Sequence, residues 1–516
     1  MTDRPSALQQ FMALGRASRQ AVTLGGIGFA IALLSGLIFT PYAILPFALL
    51  IVVAAIVLSR SDEVTAISVL IGAVALIPAN RVIAPLGAVG VPGIVTGGGL
   101  LLLWVYSRCG PRMGTDRGRQ PVRVVAYLLL VSTVASYVAG QVRGLVPVEE
   151  SPSNAALLIL ASGMGILLFT SDAVRDMERL MKVIEILVAG AAFMAAVALL
   201  QYYNIFDFAT SANFPGLVLN TTFSENVFVI ERAGLNRVAG TATHPIELSV
   251  VLSMALPLAL NMALFGPRAK RAQNWVMCGL IASIIPLTVS RSGILAVGAA
   301  LLVYTLTLKF RTILSLMPLA FFGVAGMVIL APGVLGTLRG FLLDTGTEPS
   351  STARTDDYPV VYAQWQEHPL LGRGPGTYLP KLYTVLDNQY LLTLVSTGVL
   401  GLLVYIVLLC TGYSLGRRVR RLTCDEEQRQ LGQALAASLV AAMVSSFTFD
   451  AMSFTVMFVV TNLIVGLTGA LWRIAVRDGE VPTGAAHAGT KRSPNAAGHQ
   501  ASLRAAGTGP EGGAQG

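Results

Sequence analysis

Cationic and titratable side chains collect just before one apolar stretch in the middle of the chain. Residues 236–245 read NRVAGTATHP, and Glu247 follows two positions later. Pro245 suits the first turn of a helix, where its missing N–H is harmless. Arg237, His244 and Glu247 would then gather at the boundary between membrane and water, where they could bind an anion or transfer a proton. The alternative is structural, with an arginine extended to the interface and a histidine hydrogen-bonded to a carbonyl group.

A second arginine, Arg291, lies between two apolar runs that leave almost no loop between them. Residues 290–293 read SRSG. A charged side chain costs about 2.5–3.5 kcal/mol at the bilayer centre and less near the interface, so Arg291 could simply mark a turn. An arginine on the outer side runs against the usual bias of basic residues towards the cytoplasm. We therefore favour a functional role for Arg291 over that of a turn marker.

A polar stretch over about residues 331–388 carries the remaining candidates. It contains SSTAR at 350–354, HPLLGRGPGTY at 368–378 and, running into the next apolar segment, DNQY at 387–390. The glycines do not form a phosphate-binding P-loop, because the Gly-Lys-Ser/Thr ending is missing. They are typical of a tight turn that returns the chain to the membrane. Residues 355–368 predict an interfacial helix, which Pro359 limits to the residues after it.

Apolar runs dominate the sequence and must position these residues. Of the 516 residues, 54% are hydrophobic and 12% are charged, and that charged fraction is about half the value of a soluble domain. Runs of spanning length lie near 22–40, 42–58, 64–79, 85–106, 124–140, 154–170, 183–200, 246–266, 274–290, 292–308, 312–331, 389–414, 431–449 and 453–472. They predict an all-α polytopic membrane helix bundle of about 12–14 transmembrane helices with two large extracytoplasmic loops.

Basic residues divide unequally between alternate connections. Placing the N-terminus in the cytoplasm puts 27 of the 36 lysines and arginines inside, and both termini are therefore predicted to be cytoplasmic. Residues 1–20 would form a cytoplasmic segment, 21–473 the transmembrane domain, and 474–516 a disordered cytoplasmic tail. The loops of about 201–245 and 331–388 would lie outside. Because the arginines lie between apolar runs, the net charge of +9 does not indicate nucleic-acid binding.

The order of these motifs resembles one known family. The pattern R-x-x-G-x-x-x-H-P at 237–245 precedes a helix, and SRSG precedes the second helix after it. One outer loop then holds an arginine, a tryptophan and HPLLGRGPGTY, and it ends in DNQYL. This arrangement, sharpest over about residues 230–405, resembles the O-antigen ligase and polymerase superfamily of bacterial surface-polysaccharide assembly.

The resemblance implies a membrane glycosyltransferase of the bacterial cytoplasmic (inner) membrane. Such proteins transfer a glycan from polyprenyl pyrophosphate to an acceptor sugar hydroxyl at the extracytoplasmic face, among membrane lipids and other polysaccharide-assembly proteins. No cofactor and no metal is implied. On this resemblance Arg237 and Arg291, with Arg354 as a third candidate, would bind the pyrophosphate, because arginine offers bidentate, permanently charged donors.

The same resemblance directs attention to a general base for the acceptor hydroxyl. Ligases of the family carry a histidine at the position of Asp387, before the asparagine of the loop-closing motif, and this chain has an aspartate there. Asp387 is the first candidate, and His244 and Glu247 are the others. The difference puts a lipid A acceptor in doubt and favours a polymerase slightly over a ligase.

Two other classes of protein fit part of the pattern. A lipid-linked oligosaccharide flippase, or another polysaccharide exporter, can also have about fourteen helices. Transporters, however, place charged residues near the midplane on broken helices, whereas these apolar runs contain almost no ionisable residues. A membrane scaffold would explain the outer loops but not their ordered arginines.

Overall fold

The computed structural model describes residues 63–109, 120–212, 214, 216–220, 230–232, 235–317 and 349–480. The predicted apolar runs near 22–40 and 42–58, most of the run near 312–331, and the termini 1–20 and 481–516 lie outside these residues. Each of the other eleven predicted runs contains a helix. Hydropathy therefore located the long apolar helices correctly in the part of the chain that the structure describes.

Helices form nearly all of the regular structure in the described part of the chain. They are α1 (Glu63–Ala75), α2 (Pro92–Cys109), α3 (Pro121–Arg143), α4 (Pro147–Ala173), α5 (Met177–Tyr202), α6 (Phe208–Ser211), α7 (Pro245–Phe265), α8 (Arg271–Leu287), α9 (Arg291–Thr305), α10 (Pro349–Glu367), α11 (Gln389–Leu422), α12 (Glu426–Ser445) and α13 (Thr455–Glu480). Short 3-10 segments cover Ala84–Gly90, Arg268–Lys270 and Ala451–Ser453. The antiparallel strand pairs are β1 (Arg81–Val82) with β2 (Val218–Leu219) and β3 (Ile230–Arg232) with β4 (Leu235–Arg237).

Six of the described helices are long and apolar enough to cross a membrane, namely α3, α4, α5, α7, α11 and α13. Shorter apolar helices are α1, α2 and α9. The predicted all-α polytopic bundle is thereby confirmed. The total of 12–14 includes runs outside the described residues and stays a prediction. Helix α13 continues to Glu480, past the predicted end of the transmembrane domain at residue 473.

Helix α7 lies at the centre of the bundle. Nearly all of its side chains are buried, and it packs against α5, α8, α9, α12 and α13. Most of the apolar surface of α3 and α11 instead faces outward, as expected for helices against lipid. The first residues of α7 therefore lie at the middle of one end of the bundle.

Ion pairs and hydrogen bonds join connections that lie at the same end of the bundle when successive helices run in opposite directions. At one end Arg123 pairs with Asp172 at 2.9 Å, and Arg473 donates to the Asp172 carbonyl oxygen at 2.9 Å. At the other end Arg143 pairs with Glu149 at 2.8 Å, and its Nε donates to the Arg373 carbonyl oxygen at 3.3 Å. Both groups agree with the predicted sidedness of the loops. Which end faces the cytoplasm stays a prediction.

The glycine-rich turn at 368–376 is docked into a break in α11. The break lies at Gly398, whose φ of 68° favours glycine. Gly374 N–H donates to the Ser396 carbonyl oxygen at 2.9 Å, and Val399 N–H donates to the Pro369 carbonyl oxygen at 3.0 Å. A Cβ at Gly398 would lie 2.2 Å from a carbonyl oxygen of the turn. The turn therefore returns the chain to the bundle and also supplies hydrogen-bond partners that the broken helix lacks.

Helix α10 differs from its prediction. It begins at Pro349 and continues through Pro359, so the expectation that Pro359 limits the helix to the residues after it was wrong. A proline inside a helix removes one hydrogen bond and costs about 3 kcal/mol. Burial of Val361 beside Tyr378 and Val395 offsets that cost, because it anchors the turn after the proline. The interfacial position of α10 stays a prediction.

Candidate active site

Arg237 is held against the turn between α8 and α9. Its Nε donates a hydrogen bond to the Thr288 carbonyl oxygen at 3.1 Å, and the residue is 6% exposed. It ends strand β4, and residues 238–242 after it are buried. Gln201, in the last turn of α5, accepts the N–H groups of Ala239 and Gly240 through Oε1 at 3.1 and 2.9 Å. The predicted outer loop thus returns into the bundle well before α7 begins.

Arg291 opens α9 at the same turn and is partly exposed. Val289 has a φ of 49°, an unusual conformation for a β-branched residue and one that marks local strain. Ser290 caps α9 by accepting the Gly293 N–H at 3.3 Å. A Cβ at Gly293 would lie 2.4 Å from the Cβ of Ser249, so the start of α9 is in close contact with α7. The structure therefore brings Arg237 and Arg291 to one tightly fixed turn.

His244 is the N-cap of α7. Its Nδ1 accepts the Ile246 N–H at 3.2 Å, and its ring contacts that of Phe454 at a centroid distance of 6.2 Å. Burial, and after it the positive charge of Arg237, lower the pKa of His244 to about 4. The imidazole is therefore neutral near pH 7, with its proton on Nε2. The structural alternative for His244 predicted a hydrogen bond to a carbonyl group. The observed bond at Nδ1 is instead accepted from a backbone N–H.

Glu247 joins the beginnings of two helices. It is fully buried and accepts the Thr243 N–H at 2.7 Å, the Val456 N–H at 2.7 Å and the Met457 N–H at 3.3 Å. The last two donors belong to the first turn of α13, where unbonded N–H groups favour a carboxylate. One carboxylate oxygen thus fastens α7 to α13, and the other holds the segment that leads into α7.

Asp387 lies just before α11 and is exposed. Asn388 caps that helix by accepting the N–H groups of Tyr390 and Leu391. Gln389 then binds the connection between α12 and α13: its N–H donates to the Ser446 carbonyl oxygen at 2.8 Å, and its Oε1 accepts the Met452 N–H at 2.8 Å. These bonds hold Asp387 beside that connection.

Asp450 lies in the same connection and is an acid that the sequence analysis missed. Burial raises the pKa of Asp450 to about 7, opposed by a hydrogen bond with Ser453, and the negative charges of Asp387 and Glu247 raise it further. Its residue type is visible in the sequence FTFDAMSF, between the last two predicted apolar runs. An ionisable residue in so short an outer connection was the signal that could have found it. The pairing with Asp387 depends on how α11 docks and is not visible in the sequence.

Arg354 and Arg373, two further arginines of the second loop, lie away from the turn that carries Arg291. Arg354 lies in the first half of α10, where the structure describes the backbone alone. Arg373 is buried and structural: it donates to the Tyr383 hydroxyl at 2.6 Å and to Gln364 Oε1 at 2.7 Å, and it lies 3.8 Å from Glu149. Its charge is used to hold the glycine-rich turn to α4 and α10.

The described site thus combines two arginines with three acidic groups, Glu247, Asp387 and Asp450, around the start of α7. His244 lies between the arginines and the acids. It interacts electrostatically with Arg237, and its ring contacts that of Phe454 just before α13. Asp387 is exposed, Arg291, His244 and Asp450 are half-buried, and Arg237 is buried. Such a site can bind an anion through its arginines and accept a proton through an aspartate.

A family model matches the part of the chain that follows the motif at 237–245. Residues 276–406, about a quarter of the chain, match the family model described as O-Antigen ligase. The matched segment begins in α8, contains Arg291, Arg354 and Asp387, and ends in α11. No curated protein matches the chain significantly. The match confirms the predicted resemblance to the O-antigen ligase and polymerase superfamily and supports an enzyme embedded in a membrane.

Proposed function

We propose that this protein transfers a polyprenyl-pyrophosphate-linked glycan to an acceptor sugar hydroxyl at the extracytoplasmic face of the bacterial inner membrane. The observation that carries the proposal is the contact of Arg237 with the turn that carries Arg291. It joins two arginines, widely separated in sequence, at the bundle end that also holds Asp387 and Asp450. A pyrophosphate leaving group needs concentrated, permanent positive charge of this kind.

The proposed reaction breaks the bond between the anomeric carbon of the donor glycan and the pyrophosphate oxygen. The acceptor hydroxyl oxygen forms the new bond to that carbon, and polyprenyl pyrophosphate leaves. Arg291 and Arg237 stabilise the negative charge that develops on the leaving oxygen, with Arg354 as a further candidate. The hydroxyl proton passes to a general base.

Asp387 is the residue that we assign as the base. It is exposed at the mouth of α11, whereas His244 is half-buried and Glu247 is fully buried. The Nδ1 atom of His244 and both oxygens of Glu247 accept backbone N–H groups that position the start of α7. Those two candidates from the sequence are better suited to positioning α7. The negative charge of Asp387 favours the protonated form of Asp450, so when both are ionised the pair would share the proton taken from the acceptor hydroxyl.

Between the two reaction types of the superfamily, we propose a polymerase ahead of a ligase. The support is the aspartate at position 387, where the resemblance implies a histidine in ligases. The proposed donor then carries a short glycan unit, and the proposed acceptor is the end sugar of another such unit. Arginines supply the charge stabilisation, so the mechanism requires neither a metal nor a cofactor.

Deletion of the gene in its own host tests the proposal. The polyprenyl-linked glycan and the finished surface polysaccharide are extracted and measured separately. We expect short lipid-linked units to accumulate on the outer face while long polymer disappears. Long polymer that remains on the carrier would indicate a ligase instead. Units that stay shielded on the cytoplasmic side would indicate a flippase and contradict the proposed transfer reaction.

Complementation distinguishes loss of the site from loss of the protein. Wild type and Arg268→Ala should restore the polymer, and Arg291→Ala should not. Arg268 is a suitable control because it is an exposed arginine at the opposite end of the bundle. Equal restoration by both variants, at equal amounts in the membrane, would remove Arg291 from the mechanism.

A further inference from the structure

A positively charged cavity lies at the opposite end of α11 from Asp387. Its volume is about 390 Å³. The lining residues come from the end of α11 and the start of α12; they are Tyr413, Ser414, Arg417, Arg418, Arg420, Arg421 and Arg429. Five of the seven are arginines, and none is acidic. A cavity of this size is in the range of small-molecule sites.

Protein groups neutralise little of this positive charge. Arg429 lies 3.6 Å from Glu426, which is the ion pair that these five arginines make within the described residues. Arg417 donates to the neutral Gln433 Oε1 at 2.6 Å, and Arg420 donates to the Arg429 carbonyl oxygen at 3.4 Å. Like charges so close together repel one another, and a bound anion would relieve that repulsion.

The position of the cavity along α11 places it at a membrane surface. From the break at Gly398 the helix continues to Leu422, and at about 1.5 Å per residue that part alone spans roughly 36 Å, which exceeds the hydrocarbon core of about 30 Å. With Asp387 at one surface, the arginines at 417–421 lie at the level of the opposite headgroups. Tyr413, one turn nearer the bilayer, is the kind of side chain found at that boundary.

We propose that this cavity binds the phosphate group of an anionic phospholipid headgroup in the leaflet opposite the candidate active site. Clustered guanidinium groups suit a phosphate because each can donate two parallel hydrogen bonds. Basic cavities between transmembrane helices bind anionic headgroups by the same chemistry. Free inorganic phosphate shares that chemistry and is the alternative source of the ligand. The proposal is independent of the glycan-transfer function.

A lipid-retention experiment on the purified full-length protein tests the proposal. The protein is exchanged into mixed micelles that contain equal phosphatidylglycerol and phosphatidylcholine, and the lipid that it retains is counted by native mass spectrometry. The test variant is Arg418→Gln/Arg421→Gln, because both side chains are exposed and their loss leaves the helix contacts intact. The control variant is Arg268→Gln/Arg271→Gln, which removes equal charge beside Lys270, itself paired with Glu185 at 2.8 Å.

We expect wild type and the control variant to retain phosphatidylglycerol preferentially. The test variant should lose at least about tenfold of that preference, since each basic residue near the surface adds measurably to anionic-lipid binding. If inorganic phosphate binds the wild type, and phosphatidylglycerol shows no preference, the ligand is free phosphate. Equal retention of phosphatidylglycerol by both double variants would overturn the proposal. So would a wild type that neither prefers phosphatidylglycerol nor binds inorganic phosphate.

Discussion

Arg237 Nε and the Thr288 carbonyl oxygen lie 3.1 Å apart, and that contact joins the end of the first outer loop to the turn before α9. Thr288 is three residues before Arg291. The loop arginine therefore fixes the turn as well as adding charge to it. Two arginines about fifty residues apart in the sequence act in the proposed site as one cationic group.

Replacement of Arg291 should lower glycan transfer without unfolding the protein. Arg291→Ala removes one charged donor from the proposed leaving-group site, and such losses reduce turnover by about 10²–10³. Arg291→Lys should retain part of the rate, because lysine keeps the charge but loses the bidentate geometry. The initial rate of polyprenyl pyrophosphate release measures the effect. Arg268→Ala is the control, and an equal decrease in that variant would contradict the assigned role.

Replacement of Asp387 should separate turnover from donor binding. Asp387→Asn keeps the shape of the side chain and removes its basicity, so we expect kcat to fall by about 10²–10⁴ while the Kd for donor changes little. The melting temperature should also change little, because the residue is exposed. Glu178→Gln, on an exposed acid of α5, is the control. Equal loss of turnover and donor binding would indicate a structural role for Asp387.

Asp450 should make the stability of the protein depend on pH. Its pKa of about 7 in the folded state lies above the ordinary value of 3.8, so the folded protein holds a proton that the unfolded chain releases. The resulting stability is present below about pH 4 and is lost as the pH rises to about 7. Asp450→Asn should remove this decrease, as measured by thermal unfolding across that range. An identical pH profile in the variant would contradict the assignment.

His244 should affect the pH dependence of stability in the direction opposite to that of Asp450. Its pKa is lowered to about 4 from 6.5, so the unfolded chain binds the extra proton and stability rises as the pH increases from about 4 to 6.5. His244→Asn keeps a good N-cap residue and should remove this rise. The variant should also retain most activity at pH 7, because we assign His244 to positioning. Loss of turnover with an unchanged unfolding profile would instead make His244 the base.

Removal of divalent cations should leave transfer unchanged. The proposed charge stabilisation comes from arginines, which need no metal to act on a pyrophosphate. The measurement is the transfer rate before and after extensive chelation, with Mg²⁺ and Mn²⁺ added back. A strict requirement for either ion would contradict the proposed mechanism.

The sequence predicted the helices well because a bilayer enforces long apolar runs, and those runs can be read directly. It also predicted that Arg237 and Arg291 lie on one side, since two helices, α7 and α8, separate them and return the chain to its starting surface. Both predictions rest on local pattern and alternation, and neither requires knowledge of packing.

Packing between distant segments decided what the sequence could not predict. Asp450 is close to Asp387 because Gln389 binds the connection between α12 and α13. Arg373 is structural because its partners Tyr383 and Glu149 come from separate elements. The proline in α10 is tolerated for the same reason, through burial of the turn after it.

The most direct test of the central claim is the reaction of the purified protein in vesicles with a defined glycan on polyprenyl pyrophosphate. The polyprenyl pyrophosphate released and the new glycosidic bonds formed are counted in the same sample. Glycan transfer at the site predicts one release for each new bond, with both lost together in Asp387→Asn. Movement of the intact lipid-linked glycan across the vesicle membrane, with no release and no new bond, would contradict it.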